Sequence, residues 1–130
     1  MSGEAQIRGL APVLMVKDLV RAHDYYSEKL GFRAPRMWGD PPGFCIASRD
    51  GMCVMLDQVE GESTIEPNSR FGRWDAYFWV QDVDALHAEF AAKGADIISE
   101  PENKFYDMRE FMVRDLDGYT LCFGQDSCPQ

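Results

Sequence analysis

Val113–Gly124 reads V-R-D-L-D-G-Y-T-L-C-F-G, two strand-like runs joined by a tight Asp-Leu-Asp-Gly turn. An earlier stretch, Ser48–Gln58, reads S-R-D-G-M-C-V-M-L-D-Q. Placing Gly51 on Gly118 brings Val54 onto Leu121, Met55 onto Cys122, Leu56 onto Phe123 and Gln58 onto Gln125. The same hairpin is written twice, so the chain reads as a tandem repeat.

The repetition extends to what precedes each hairpin. Ala11–Val16 (A-P-V-L-M-V) predicts a strand, with its proline near the start, where a strand tolerates one. Asp18 then stands at an N-cap position; Leu19, Ala22, His23, Tyr26 and Leu30 follow at helical spacing, and Gly31 ends the run. Phe32–Trp38 predicts a second strand, residues 39–43 a Gly/Pro loop, and Phe44–Ser48 with Met52–Asp57 the first hairpin. The second unit repeats this order. Asp75–Val80 predicts a strand, Asp82 a cap, Val83, Leu86, His87 and Phe90 a helical stripe, and Gly94 its end. Ala95–Ser99 predicts the next strand, Glu100–Met108 a loop around Pro101, and Arg109–Arg114 with Tyr119–Gly124 the closing hairpin. Asp18 and Asp82 share an offset of 64 with Val16 and Val80, and Gly31 and Gly94 stand 63 apart.

The expected architecture is therefore α+β: two βαβββ modules, residues 10–59 and 74–125, joined by a polar linker at 60–73 within one domain spanning 1–130. One module cannot cover both faces of its sheet. Two modules can share their helix-free faces around a cleft lined by both halves, and the linker length permits pairing within one chain or exchange between chains.

With 45% hydrophobic and 27% charged residues, a packed core is expected and disorder is not. No apolar run approaches the roughly 18 residues that span a bilayer, and the opening M-S-G-E-A-Q-I-R-G lacks a signal-peptide core, so a cytoplasmic protein without membrane contact is expected. A net charge of −9, with Lys and Arg scattered, excludes the basic footprint of a nucleic-acid binder and leans toward a cationic ligand. Cys45, Cys53, Cys122 and Cys128 form no C-x-x-C pair and read as reduced thiols, three of them within apolar runs.

Three motifs together carry a resemblance: V-x-D-L-x-x-A-x-x-Y-Y-x-x-x-L-G-F at Val16–Phe32, V-x-D-V-x-A-L at Val80–Leu86 and R-D-L-D-G-Y-T-L at Arg114–Leu121. The chain resembles the vicinal oxygen chelate superfamily, which includes glyoxalase I, extradiol dioxygenases, fosfomycin-resistance thiol transferases and bleomycin-resistance proteins. The resemblance implies the paired βαβββ architecture. It also implies metal ligands on the first and last strands of each unit, which fall here on Ala11, Met55, Asp75 and Cys122. Alanine cannot ligate and a thioether suits none of the usual hard or borderline ions, so no metal and no cofactor are expected. His23 and His87 lie on the helical stripes and read as packed, hydrogen-bonded residues; a shifted register could instead bring in Asp57 or Glu110.

Strand parity anchored on those positions points Val13, Met15, Cys53, Met55, Asp75, Tyr77, Trp79, Thr120 and Cys122 into the cleft. Leu14, Val16, Val54, Leu56, Phe78, Val80, Leu121 and Phe123 then face the helices. The candidate ligand-binding residues are Trp38, Met55, Asp75, Tyr77, Trp79, Tyr106, Arg109, Met112 and Cys122, an aromatic and sulfur-rich set suited to an organic ligand with a flat part. Structural roles compete for several of them: Trp38 in a dimer interface, Tyr106 as a loop anchor, and Arg109 paired with Glu110 at the rim. No catalytic residue is assigned.

Two functions follow as expectations. One is a homodimeric small-molecule binding protein similar to the bleomycin-resistance branch, which sequesters an aromatic or amphipathic compound. The other is a glyoxalase- or dioxygenase-like lyase, isomerase or oxidoreductase with an altered metal site, in which Cys122 is a nucleophile or Asp75 a base.

Overall fold

The structure, a computed structural model, describes residues 3–61 and 63–126. Asp18 and Asp82 each cap a helix through a side-chain oxygen, accepting from Arg21 N at 3.2 Å and Ala85 N at 3.1 Å. A second acceptor serves each helix start: Gln58 Oε1 takes Leu19 N–H, and Gln125 Oε1 takes Val83 N–H, both at 2.8 Å. These glutamines are the pair that the hairpin alignment superposed. Each module thus ties the end of its last strand to the start of its helix by the same bond.

The elements run β1 (Val13–Val16), α1 (Leu19–Glu28), β2 (Met37–Trp38), β3 (Phe44–Arg49), β4 (Met52–Gln58), β5 (Ala76–Trp79), α2 (Val83–Ala92), β6 (Asp96–Asn103), β7 (Met108–Arg114) and β8 (Thr120–Asp126). The two sheets have the orders β1-β4-β3-β2 and β5-β8-β7-β6, the same topology twice, with the first strand parallel to the last. Tandem βαβββ modules are what the sequence predicted.

Three local expectations need correction. The second strand keeps regular pairing only at Met37–Trp38, with one bridge from Arg33 to Ser48, because two prolines and two glycines follow at once. β6 runs through Pro101 to Asn103 where a loop was expected; it is an edge strand, on which a missing N–H is tolerated, and its register slips on either side of Ser99. The segment between modules carries a 3-10 turn at Asn68–Phe71, bound to the residue before β5 by Asn68 N to Asp75 Oδ1 at 2.6 Å and to the β7–β8 turn by Ser69 Oγ to Gly118 O at 2.5 Å.

The parity assigned from sequence agrees with the burial. Leu14, Val16, Val54, Leu56, Leu121 and Phe123 are buried, and Phe78 and Val80 pack against the same core. That core is continuous across the modules, with Tyr26 and Phe32 from one and Phe90 and Phe111 from the other fully or nearly buried. Phe32 and Phe78 meet edge to face at 6.1 Å across the seam. Cys45 and Cys122 are buried free thiols and Cys53 a half-buried one; Cys128 lies outside the described residues.

Each hairpin turn docks on the other module. In the Asp-Leu-Asp-Gly turn, buried Asp115 accepts Tyr26 Oη–H at 2.7 Å and the turn's own N–H groups at Asp117 and Tyr119. Asp117 accepts Lys17 N–H at 2.9 Å, and Tyr119 Oη–H reaches Met15 O at 2.8 Å. At the matching turn Arg49 forks onto both oxygens of Glu89 at 2.7 and 2.8 Å and donates to Leu30 O. The modules are therefore joined on their helix-bearing side. Val13, Met15 and Trp79, which face the other way, remain 56%, 48% and 73% exposed.

Candidate functional site

Pairing registers order the exposed faces into rows. On the first sheet Met15, Asp57, Phe44 and Trp38 oppose one another in turn, and Val13, Met55 and Ile46 form the next row. On the second sheet Trp79, Gly124 and Glu110 form one row, and Tyr77, Cys122 and Met112 the next. Directly opposed residues share a face, so Trp38, Met55, Tyr77, Trp79, Met112 and Cys122 fall on the sides away from the helices, as expected from sequence.

The second sheet carries the denser chemistry. Trp74, Tyr77 and Trp79 make a ladder of tilted rings, with centroids 4.8 and 5.0 Å apart. Tyr77 leans across Gly124 to donate its hydroxyl to Glu110 Oε2 at 2.9 Å. Only glycine permits this: a Cβ at position 124 would lie 1.7 Å from the Tyr77 hydroxyl oxygen. Tyr106, from the loop before β7, donates to Glu110 Oε1, and the Cys122 thiol lies within the field of the same carboxylate. Glu110 is only 4% exposed. Burial, reinforced by that carboxylate, pushes the Tyr77 and Tyr106 hydroxyls well above the usual phenol range and the Cys122 thiol up to about 12. All three stay protonated, and the two phenols act as donors.

Two candidate residues serve elsewhere. Arg109 turns to the helix side of β7 and grips Asp84 of α2, Nε to Oδ2 at 3.0 Å and Nη2 to Oδ1 at 2.9 Å, so it neither faces the cleft nor pairs with Glu110. Its parity, opposite to that of Met112, requires this. Asp75 accepts backbone N–H groups on both carboxylate oxygens, from Asn68 and from Thr120 at 2.8 Å, and so fixes the entry to β5. Trp38 sits at the edge of the first sheet against Phe44, with the Arg36 guanidinium 5.0 Å above its ring.

Glu110 is the residue that sequence reading placed at the rim. The available signal was its spacing of two from Met112, which puts both on one face. The histidines lie on the helices: His23 Nε2 bonds Ala34 O at 2.9 Å, and His87 lies edge-on to Phe111 with Nε2 against the Glu100 carboxylate.

The residues at the metal positions implied by the resemblance do not fit a divalent ion. Ala11 has no donor, Asp75 is bonded on both oxygens, and Cys122 holds its proton. Among the described residues no three His, Cys, Asp or Glu side chains converge as a metal group.

A half-open cavity of about 460 Å³ lies at the seam between the modules, floored by Phe32, Phe78 and Phe90 and edged by Arg49, Glu89 and Trp79.

The profile of the Glyoxalase/Bleomycin resistance protein/Dioxygenase superfamily matches residues 9–123. No curated protein has a matching sequence. Among solved structures, TioX from Micromonospora sp. ML1 is 25% identical with a TM-score of 0.74, covering 92% of this chain and 98% of its own. TnmS3, an antibiotic binding protein from Streptomyces sp. CB03234, is also 25% identical, with a TM-score of 0.72 over 95% of this chain and 99% of its own. A glyoxalase-related enzyme from Clostridium phytofermentans shares the fold at 19% identity and a TM-score of 0.75, over 96% and 99% of the two chains.

Proposed function

Because the chain belongs to the Glyoxalase/Bleomycin resistance protein/Dioxygenase superfamily, we propose that it binds a small aromatic or amphipathic molecule on its helix-free faces, without a metal and without catalysis. The observation that carries this reading is the Trp74–Tyr77–Trp79 ladder, with Trp79 73% exposed on an otherwise ordered strand. An exposed stack of large rings is a costly surface to leave in water and an effective one for a flat ligand. The sulfur of Met55 and Met112 adds adaptable apolar contact. The likeness to an antibiotic binding protein supports the same reading.

The enzymatic alternative loses support from the side chains it requires. A thiol with its pKa pushed up to about 12 is a poor nucleophile at neutral pH, and no histidine stands beside it to take its proton. Asp75, the proposed base, accepts a backbone N–H on each carboxylate oxygen.

We further propose that the protein is cytoplasmic and a homodimer that holds the ligand in clefts between its open faces. Among the described residues no helix is long and apolar enough to cross a membrane. Ile7, Leu10, Met52 and Phe105 add to the exposed apolar surface and are 61% or more accessible. Elemental analysis of the purified protein is the direct test of the metal-free reading. We expect no divalent ion in stoichiometric amount, and about one per chain refutes it.

A further inference from the structure

Glu110 is a buried carboxylate whose hydrogen-bond partners are all neutral. It accepts from two phenols, one on each oxygen, and among the described residues it forms no ion pair. Arg109, its neighbour in sequence, is committed to Asp84 on the other side of the strand. Lys104, whose charge reaches Cys122, pairs with Glu102 at 3.6 Å. Neutral donors make a buried charge tolerable, but its field is cancelled only by an opposite charge.

That field emerges through aromatic rings. Tyr77 and Tyr106 donate to the carboxylate, which pushes electron density back into their rings, and Tyr77 sits in contact with Trp74 and Trp79. Tyr106 is 41% exposed, Trp74 40% and Trp79 73%, so the ring faces open to solvent while the charge behind them does not. A cation resting on these faces meets negative ring quadrupoles backed by a full negative charge.

We propose that the second-sheet face is a cation subsite: the ligand carries an aromatic or alkyl ammonium group, held over the Trp74–Tyr77–Trp79 ladder and neutralising Glu110. This rests on the small-molecule reading above and names the ligand's chemical class. The net charge of −9 favours the same partner at long range.

The test is an NMR titration of the whole protein with three probes of similar size: benzyltrimethylammonium, benzyl alcohol and benzoate. The ammonium compound binds at least about tenfold more tightly than the alcohol, and benzoate binds weakest. Glu110→Gln, which keeps the shape, accepts one phenol on its amide oxygen and donates to the other phenol oxygen through its amide nitrogen, lowers ammonium affinity about tenfold and leaves benzyl alcohol unchanged. Trp79→Ala, at a position 73% exposed, also loses the ammonium preference. Equal binding of ammonium and alcohol overturns the cation subsite while leaving the small-molecule reading in place. The subsite is overturned in the same way if Glu110→Gln alters dimer dissociation but not probe affinity, since the missing cation would then come from the second copy. Silence from all three probes overturns both.

Discussion

At the scale of single residues, the second-sheet face depends on one position without a side chain. Gly124 has no unusual backbone angle; it is there because Tyr77 crosses over it. Gly124→Ala must displace Tyr77 and break its bond to Glu110. We expect a loss of about 1–3 kcal/mol in urea unfolding, the range for leaving a buried group unsatisfied, together with changed tryptophan emission as the ladder is disturbed. An unchanged spectrum and midpoint would place Tyr77 elsewhere. Asp115 is the second decisive residue. Burial pushes its carboxyl up to about 6 against the opposing bonds from Tyr26 and the turn N–H groups. The folded state thus holds its proton more tightly than the unfolded state does. The stability it contributes is fully present below the ordinary carboxylate value, 3.8, and is lost as pH rises through about 6. The stability difference between the wild type and Asp115→Asn should therefore grow in favour of the wild type between about pH 7 and about pH 4, and a difference independent of pH contradicts this. Neither residue's role was legible in the sequence. Glycine in a strand signals a close approach but not its partner, and a turn aspartate gives no sign that a tyrosine 89 residues away will bury it.

The elements repeat more faithfully than the residues within them. Helix starts read cleanly because their chemistry is local: the aspartate caps, the valines before them and the terminating glycines recur at nearly one offset, and the structure adds Gln58 and Gln125 as matching second acceptors. Gln125→Ala removes one acceptor from a half-buried helix start. We expect it to cost about 1 kcal/mol, with faster amide hydrogen exchange at Val83 and no change around α1. Exchange accelerated equally in both modules would mean that the bond is not local. Strands read less cleanly. The pattern around Phe32–Trp38 is apolar enough for a strand, yet the pairing stops at two residues, and Pro101 marked a loop that is an edge strand instead. Edge strands are governed by what lies on their open side, which sequence periodicity does not record. The docked turns differ in chemistry although they correspond in position: a phenol on a carboxylate in one, a guanidinium on a carboxylate in the other. The second titrates oppositely to the first. Arg49 holds Glu89 down to about 2, so that latch is intact above the usual glutamate value and is lost only as pH falls through about 2.

Across the whole molecule, the two modules share their helix-bearing faces and present their other faces outward. The tandem architecture was legible because each module repeats the same capping and turn signals. Which faces would meet was not, because it depends on Tyr26, Arg49 and their partners across the seam, contacts that lie 40 or 89 residues apart in the chain. The same uncertainty carried Arg109 and Asp75 into the predicted site, where their residue types fit but their partners draw them away. Outward faces bearing Val13, Met15 and Trp79 need a cover. We expect light scattering at micromolar concentration to report a dimer, and a monomer would leave the ligand as the faces' only cover. The most direct test of the central claim is a tryptophan-emission titration against a panel of aromatic small molecules, comparing the wild type with Trp79→Ala. At least one compound should bind the wild type saturably and the variant about tenfold more weakly; equal affinity for the two proteins would contradict a binding face built on the Trp74–Tyr77–Trp79 ladder.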